Sequence, residues 1–180
     1  MALVPALVLP RLRGGFGRVY LHAAETPSTQ AMPPADAPHG TVAVAEHQTN
    51  GRGRLGRVWV DEPGTGLAMS IVLHPGVPVA RWPEITLVAA EAVAGAIGDG
   101  ATIKHPNDVL VEGRKVAGIL AEASQRVVLG IGVNVGEAPW PGAGFVDRDR
   151  LELLVEILER LEEGYERWLE AAAEGGQSNR

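Results

Sequence analysis

The chain has 180 residues, a formal net charge of −6 and 46% hydrophobic residues. This length suits one domain with a substantial core, and the acidity argues against general nucleic-acid binding, which requires a broad basic surface. The absence of cysteine excludes disulfides, thiolate catalysis and cysteine-ligated metals.

The first nine residues are apolar, but they lack the pattern of a secretion signal or a membrane span. Pro5 and Pro10 interrupt them, and no basic residues precede them. We therefore expect the protein to reside in the cytoplasm, with no membrane partner.

Runs of apolar and β-branched residues predict seven strands in chain order, at 18–23, 41–46, 67–73, 101–104, 109–111, 115–122 and 127–135. A turn at Gly113 predicts that the fifth and sixth of them form a hairpin. After a turn at 25–30, Pro33, Pro34 and Pro38 limit any helix to about one turn.

Two helices are predicted from apolar residues at helical spacing. One follows Pro83 and continues to about Gly98, and its alanines suit close packing against a sheet. The other spans 150–173, carries a strong apolar stripe, and is expected to stop at Gly175-Gly176. Hairpin-paired strands with helices set apart predict an α+β fold, with a mixed, largely antiparallel sheet packed against helices.

The loop at 51–57 contains three arginines and three glycines in seven residues. Glycine lets the backbone approach a ligand, and the donors of arginine match phosphate oxygens, so this loop is suited to closing over an anion. It is not a P-loop, because no Gly-Lys-Ser/Thr follows. A flexible solvated loop and an arginine–glycine segment that binds nucleic acid are the alternatives.

The last predicted strand has one apolar face and one nearly bare face. Ile131 and Val133 alternate with Gly130, Gly132 and Asn134. A ligand lying flat on the bare face explains these glycines, and a close-packed neighbouring backbone explains them equally well.

Five short segments combine into one ordered pattern: Ser28-Thr29-Gln30, Glu46-His47-Gln48 with the loop 51–57, Lys104-His105-Pro106-Asn107-Asp108, Lys115-Val116-Ala117-Gly118-Ile119-Leu120 and Gly130-Ile131-Gly132-Val133-Asn134. In this order they resemble the catalytic domain of the biotin–protein ligases, over about residues 18–170. The resemblance implies a class II synthetase-like biotin/lipoate ligase fold and a single catalytic domain over 1–180, with its core at about 18–173. Neither an N-terminal helix-turn-helix nor a C-terminal SH3-like barrel is expected.

The resemblance implies an ATP-dependent ligase that acts in two steps. Biotin and ATP give biotinyl-5′-AMP and pyrophosphate, and the biotinyl group then passes to a lysine of the biotin carboxyl carrier domain of a carboxylase. ATP is therefore a co-substrate. Mg²⁺ is expected with it, held mainly by phosphates and water, because the sequence shows no carboxylate cage. The implied partners are biotin, ATP and the carrier domain, with a homodimer allowed and no nucleic acid.

The resemblance also assigns roles to residues of the matching segments. The implied biotin-binding residues are Ser28, Thr29, Gln30, Gln48, Gly51, Arg52, Gly53, Arg54, Gly118, Gly130 and Gly132. The implied ATP- and adenylate-binding residues are Arg52, Arg54, Arg57, Trp59, Lys104, Asn107, Lys115 and Asn134. The implied catalytic residues are Lys115, Arg52 and Asp108, and no metal ligand is predicted.

These residue types suit the chemistry. The flat bicycle of biotin, with its one ureido group, fits a glycine-lined pocket that has few polar groups. Fixed cations stabilise the negative charge that accumulates when a carboxylate attacks the α-phosphate. For Lys115 the alternative is a solvated lysine at the start of a strand. Asp108 either positions or deprotonates the acceptor lysine, or it caps the turn after Pro106.

Two positions differ from the usual pattern of the family, with His105 in place of tryptophan and Gln30 in place of asparagine. Neither His47 nor His105 is expected to bind a metal. A lipoate–protein ligase is an alternative with the same fold, but the Gly-Arg-Gly-Arg loop is of the biotin type. A nucleic-acid-binding module would need a basic face or more aromatic residues than the 4% present. A degenerate ligase that binds biotin without turnover is the remaining alternative.

Overall fold

The computed structural model describes residues 1–175, and within them the strands form a seven-stranded sheet and a separate two-stranded hairpin. The strands are β1 (Tyr20–Ala23), β2 (Val42–Ala45), β3 (Gly51–Arg52), β4 (Val58–Trp59), β5 (Leu67–Leu73), β6 (Ala101–Lys104), β7 (Asp108–Val111), β8 (Arg114–Ala123) and β9 (Val127–Val133). The large sheet has the order β1-β2-β5-β9-β8-β7-β6. Its β1–β2 pair is parallel and its other pairs are antiparallel, which confirms the predicted mixed, largely antiparallel sheet.

Three α-helices lie in the described part of the chain: α1 (Pro5–Val8), α2 (Ile85–Ile97) and α3 (Arg150–Gly175). The two longer helices and the seven strands of the large sheet were predicted within two or three residues of their ends, whereas α1 and the β3–β4 hairpin were not predicted. The helix α3 continues through Gly175, and the predicted stop at Gly176 lies outside the described residues. None of the helices in residues 1–175 is long and apolar enough to cross a membrane.

Burial follows the alternation of the strands. All seven side chains of β5 are buried at the centre of the sheet, whereas in β9 the buried Leu129, Ile131 and Val133 alternate with the partly exposed Gly130 and Gly132. The helix α2 packs against β6, β7, β8 and α3. Its contact face is mostly alanine, so the helix axis can approach the sheet closely. The apolar residues of β9 belong to the same hydrophobic cluster as the buried residues of α2 and α3, whereas the glycine face of β9 lies outside this cluster.

The segment before β1 is also part of the core. Leu3, Val8, Leu12 and Phe16 are buried within the main hydrophobic cluster, although the expected core began near residue 18. Side chains from distant elements bind the backbone of this segment. For example, the two carboxylate oxygens of Glu162 accept hydrogen bonds from the backbone N–H groups of Gly15 and Phe16. Its sequence does not show this packing because neither the apolar spacing nor the prolines identify a partner.

Glu46, directly after β2, joins three separate parts of the chain. Its Oε1 accepts hydrogen bonds from the backbone N–H of Leu3 at 2.7 Å and from His22 Nε2 at 2.8 Å, and its Oε2 pairs with Arg150 at 3.0 Å. Burial opposes ionisation of this carboxyl, but the hydrogen bonds from His22, Leu3 and Arg150 outweigh it and lower the pKa of Glu46. The carboxylate therefore stabilises the fold, two residues before the site residue Gln48.

Replacing Glu46 with glutamine is expected to lower the free energy of unfolding at pH 7 by about 3 kcal/mol, because the buried guanidinium of Arg150 loses its counter-charge. Folding lowers the pKa of Glu46 from its ordinary value of 4.5. The stabilisation by its carboxylate is therefore present at a pH above 4.5 and is lost as the pH falls through the pKa of the folded state. Urea unfolding from pH 7 to pH 3 should show the difference between E46Q and the wild type narrowing in acid. The exposed Glu166 provides the control substitution E166Q, and equal stability of E46Q and wild type at pH 7 would contradict the assignment.

Candidate active site

A pocket of about 50 Å³ lies over the glycine face of β8 and β9. It gathers residues from five separate parts of the chain, and its lining consists of Ser28, Thr29, Gln30, Gln48, Arg52, Gly53, Arg54, Trp59, Met69, Asn107, Lys115, Gly118, Ile119, Leu120, Gly130, Ile131 and Gly132. Thirteen of these residues belong to the set expected from the sequence. Met69, Ile119, Leu120 and Ile131 were not in that set.

The floor of the pocket is made of glycines because two side chains lie directly on it. A Cβ atom at Gly132 would be 2.6 Å from Cζ2 of Trp59, and one at Gly118 would be 3.0 Å from Cζ3 of the same ring. At Gly130 a Cβ would be 3.1 Å from the amide carbon of Gln30. Side chains that line the pocket, rather than a neighbouring backbone, therefore account for the bare face. The volume of the pocket is small because the indole ring occupies the floor.

One end of the pocket is a buried polar corner formed by Ser28, Thr29, Gln48 and Ser70. The backbone N–H of Thr29 donates to Gln48 Oε1 at 2.8 Å, and the hydroxyls of Thr29 and Ser70 lie 2.8 Å apart. Ser28 caps the single 3₁₀ turn Thr29–Ala31, as its Oγ accepts from the backbone N–H of Gln30. This turn confirms the predicted limit of about one helical turn. Ser70 was missed, although a lone hydroxyl inside the apolar strand β5 is a visible signal.

Gln30 completes this corner and leaves one atom without a partner. Its Nε2 donates to the backbone carbonyl of Leu120 at 3.3 Å, which orients the amide because a carbonyl can only accept. Its Oε1 is buried and has no hydrogen-bond partner among residues 1–175. The pocket therefore contains an acceptor that is free to receive a donor from a ligand.

The arginine- and glycine-rich loop forms the hairpin β3–β4, closed by a 3₁₀ turn at Arg54–Gly56. Gly51 is required there, because a Cβ at this position would be 2.5 Å from the carbonyl oxygen of Trp59. The base of the hairpin is held by Asp61, whose Oδ1 accepts from the backbone N–H of Gln48 at 3.1 Å and lies 2.8 Å from His47 Nδ1. Asp61 was not among the expected residues, and its sequence context gives no signal for this contact.

Two arginines of this hairpin, Arg52 and Arg54, are paired with protein groups at the pocket. Arg52 Nη1 donates to Glu122 Oε2 at 3.0 Å, and Arg54 Nη1 donates to Asn107 Oδ1 at 2.8 Å. The Arg52–Glu122 pair is about half exposed, so it contributes little to stability and can be exchanged for another anion at small cost. Glu122 was also missed by the sequence interpretation.

Lys115 lies near the start of β8, and its Nζ lies over Gly118, whereas the amide of Gln30 lies over Gly130. Lys115 Nζ is 2.7 Å from Asp108 Oδ1 and 5.8 Å from the centroid of the Trp59 ring. The β7–β8 hairpin places Asp108 opposite Gly118, and the side chain of Lys115 extends over Gly118 to reach it. Asn134 is buried, and its Nδ2 donates to the carbonyl of Gly144 at 2.8 Å, next to the backbone of Lys115.

Five expected residues do not line the pocket. Gly51, Asp108 and Asn134 contact lining residues, as described above, whereas Arg57 and Lys104 are exposed outside it. The expected roles of Arg57 and Lys104 in binding ATP remain predictions. Within residues 1–175 no group of three or more His, Asp or Glu side chains is arranged to hold a metal ion.

Comparison with known proteins gives one consistent similarity. Residues 23–136 match the profile of the biotin/lipoate A/B protein ligase family. The chain is 44% identical over 114 residues to the bifunctional ligase/repressor BirA of Bacillus subtilis, a match that covers 58% of this chain and 35% of that protein. It is 43% identical over 124 residues to the biotin–[acetyl-CoA-carboxylase] ligase of Mycobacterium tuberculosis, covering 64% of this chain and 45% of the relative. The chain thus spans less than half the length of these two relatives.

Solved structures show the same similarity at the level of the fold. The biotin protein ligase from Aquifex aeolicus in complex with biotin and ATP superimposes with a TM-score of 0.76 at 32% sequence identity. The match covers 85% of this chain and 72% of that one. It identifies the architecture as the class II synthetase-like fold of these ligases, as predicted.

Replacing Gly132 with alanine is expected to displace the Trp59 ring, because the added Cβ cannot coexist with a rigid indole at this distance. Overpacking of this kind costs about 1–3 kcal/mol, so we expect a modest loss of stability. Acrylamide quenching of tryptophan fluorescence should increase as the ring leaves the floor. Gly76→Ala is the matched control, since nothing lies within 4 Å of that Cβ position. Unchanged quenching in G132A would mean that the ring does not rest on this glycine.

Proposed function

We propose that this chain, which belongs to the biotin/lipoate A/B protein ligase family, activates biotin with ATP. It then transfers the biotinyl group to a lysine of a carrier domain. Relatives described as biotin–[acetyl-CoA-carboxylase] ligases, and the Aquifex aeolicus ligase in complex with biotin and ATP, support this function. ATP is the co-substrate in this proposal, and biotinyl-5′-AMP is the intermediate.

The observation that favours biotin over lipoate is the free Oε1 of Gln30. A buried acceptor without a partner costs about 1–3 kcal/mol, which a ligand with a suitably placed N–H would recover. The ureido ring of biotin has two N–H groups, whereas the dithiolane ring of lipoate has none. The hydroxyls of Ser28 and Thr29 and the amide of Gln48 lie in the same corner and can satisfy the remaining polar atoms of the ureido group.

The glycine floor suits the apolar remainder of the ligand. Gly118, Gly130 and Gly132 form the floor of the pocket, so a flat bicycle can lie against the backbone there. Trp59 occupies part of this space and must shift or share it with the ligand. An indole beside the floor is also well placed to stack on the adenine of the adenylate.

The basic residues around the pocket suit the adenylation step. An oxygen of the biotin carboxylate attacks the α-phosphorus of ATP, the bond to the β,γ-phosphate group breaks, and pyrophosphate leaves. Arg52, Arg54 and Lys115 provide cations beside this position, and each now pairs with a protein acceptor that the substrate's oxygens would replace. Arg57, Lys104 and Asn107 complete the proposed phosphate and adenylate contacts.

Transfer follows when the ε-amine of the carrier lysine attacks the activated carbonyl and AMP leaves. That amine must be deprotonated to react, and Asp108, which Lys115 holds at 2.7 Å, is the proposed group that positions it or accepts its proton. Asn134 contributes by fixing the loop at Gly144 against the backbone of Lys115.

Several further parts of this proposal come from the family resemblance. Mg²⁺ would accompany ATP, held mainly by phosphate oxygens and water. The carrier domain belongs to a carboxylase, the enzyme resides in the cytoplasm, and a homodimer is compatible with the activity. The chain acts as one catalytic domain.

The proposed function is tested by pyrophosphate exchange into ATP. We expect exchange that depends on biotin and is absent with lipoate at the same concentration. Exchange supported by lipoate and not by biotin would replace the substrate assignment. Calorimetric binding of biotin without any exchange would instead identify a biotin-binding protein without turnover. Incorporation of labelled biotin into an isolated carrier domain tests the second step separately.

Replacing Lys115 with alanine is expected to reduce the exchange rate by about 10²–10³, the usual effect of removing one electrostatic contact to a developing charge. Biotin binding should be retained, because Nζ pairs with Asp108 and lies over Gly118, whereas Gln30 lies over Gly130. Calorimetry and thermal melting provide those controls, and K115R should recover part of the rate. An exchange rate close to wild type in K115A would refute the catalytic role of Lys115.

A further inference from the structure

The segment that follows the 3₁₀ turn Thr29–Ala31 has little regular structure of its own. Pro33, Pro34 and Pro38 have no backbone N–H, so the turn cannot continue into a helix that would support it. The carbonyl groups of this proline segment, residues 33–35, are instead bound by one side chain from another part of the chain.

That side chain is Arg126, in the turn between β8 and β9. Its Nη1 donates to the carbonyl of Pro34 at 2.7 Å and to that of Ala35 at 3.1 Å, and its Nη2 donates to that of Pro33 at 3.2 Å. One planar guanidinium thus fixes three successive carbonyls, which the single ammonium of a lysine cannot do with the same geometry. The side chain of Arg126 is partly buried.

The same hairpin also contacts the pocket side of this segment. Leu120 in β8 accepts the hydrogen bond from Gln30, and Gly130 in β9 lies beneath the Gln30 amide. Arg126 therefore provides a second attachment between the two pieces that form the polar corner, at a point outside the pocket. The hydrogen bonds of Thr29 to Gln48 and Ser70 hold the corner on the side of β5, and Arg126 adds the charged contact that holds it against the β8–β9 turn.

We propose that Arg126 is a positioning residue for the biotin half of the pocket. It holds the proline segment against the β8–β9 turn, and so it keeps Thr29 and Gln30 at the distance from Gly130 that the ligand ring requires. The inference rests on the proposed function for the identity of the ligand, and on the geometry alone for the support of the turn. Because the turn does not continue into a helix, the carbonyls of residues 33–35 have no intrahelical donors, and Arg126 supplies donors instead.

Arg126→Ala is the direct test, and it has one readout that needs no ligand. The amides of Thr29, Ala31 and Met32 are hydrogen-bonded within the corner and the turn. Hydrogen–deuterium exchange of a peptide covering 29–32 should become faster in R126A, because the turn loses its support. The matched control is Arg18→Ala, which removes an exposed guanidinium that binds the carbonyls of Gly14 and Arg13, away from the pocket.

The second readout is ligand binding and turnover. Calorimetry should show the Kd for biotin rising about tenfold in R126A, while the KM for ATP and the kcat of pyrophosphate exchange at saturating biotin stay within about twofold. Arg126→Lys keeps the charge and should bind biotin with intermediate affinity. If the alanine variant fails to fold, the biotin affinity of R126K tests the proposal instead. R18A should behave as the wild type in all of these measurements.

The outcomes separate this inference from the proposed function. If the wild type does not bind biotin, the proposed function fails. Hydrogen–deuterium exchange of residues 29–32 in R126A still tests whether Arg126 supports the turn. If the wild type binds biotin and R126A and R126K bind it equally well, Arg126 is not a positioning residue. An equal rise in KM for biotin and ATP, with a lower melting temperature, would show a general loss of stability and would overturn the proposal.

Discussion

The contact between the Trp59 ring and the glycines of β8 and β9 is the constraint on which the rest of the site depends. A flat group can contact the backbone of a sheet face directly only where the strands carry no side chains on that face. At Gly132 even a methyl group would collide with the indole. Because β3 and β4 pair through Gly51 and Trp59, the same ring also determines where the arginine hairpin lies. This packing contact therefore couples the position of the arginine hairpin to the glycine floor.

The positive charges around this floor are paired with oxygen atoms of neighbouring side chains. Arg52, Arg54 and Lys115 each contact an oxygen of Glu122, Asn107 or Asp108. In an acidic chain with 16 basic residues, these pairings keep like charges from repelling one another at the mouth of the pocket. They are partly exposed, so their loss costs little, and an incoming anion can replace them. Weak internal pairing thus prepares the site for negative charge.

The polar end of the site is organised differently, by buried and directional hydrogen bonds. Thr29, Gln48 and Ser70 satisfy one another, and the amide of Gln30 is oriented by a backbone carbonyl. Buried networks of this kind are rigid because every lost bond leaves an unsatisfied group. This combination suits the proposed function, in which a small ring is recognised by directional hydrogen bonds and a charged phosphate group is bound by exchangeable cations.

The sequence alone predicted the large elements and most of the residues that line the pocket. Alternation in 127–135 separated the glycine face from the apolar face, apolar spacing located α2 and α3, and five ordered segments identified the family. These signals are local, since each is contained within a few neighbouring residues. Tertiary structure decided which distant groups meet. Arg126 binds carbonyls about ninety residues away, Glu46 joins Leu3 to Arg150, and Ser70 reaches Thr29 across the sheet. No local pattern encodes such pairs, because their geometry depends on how the whole sheet and its connections pack.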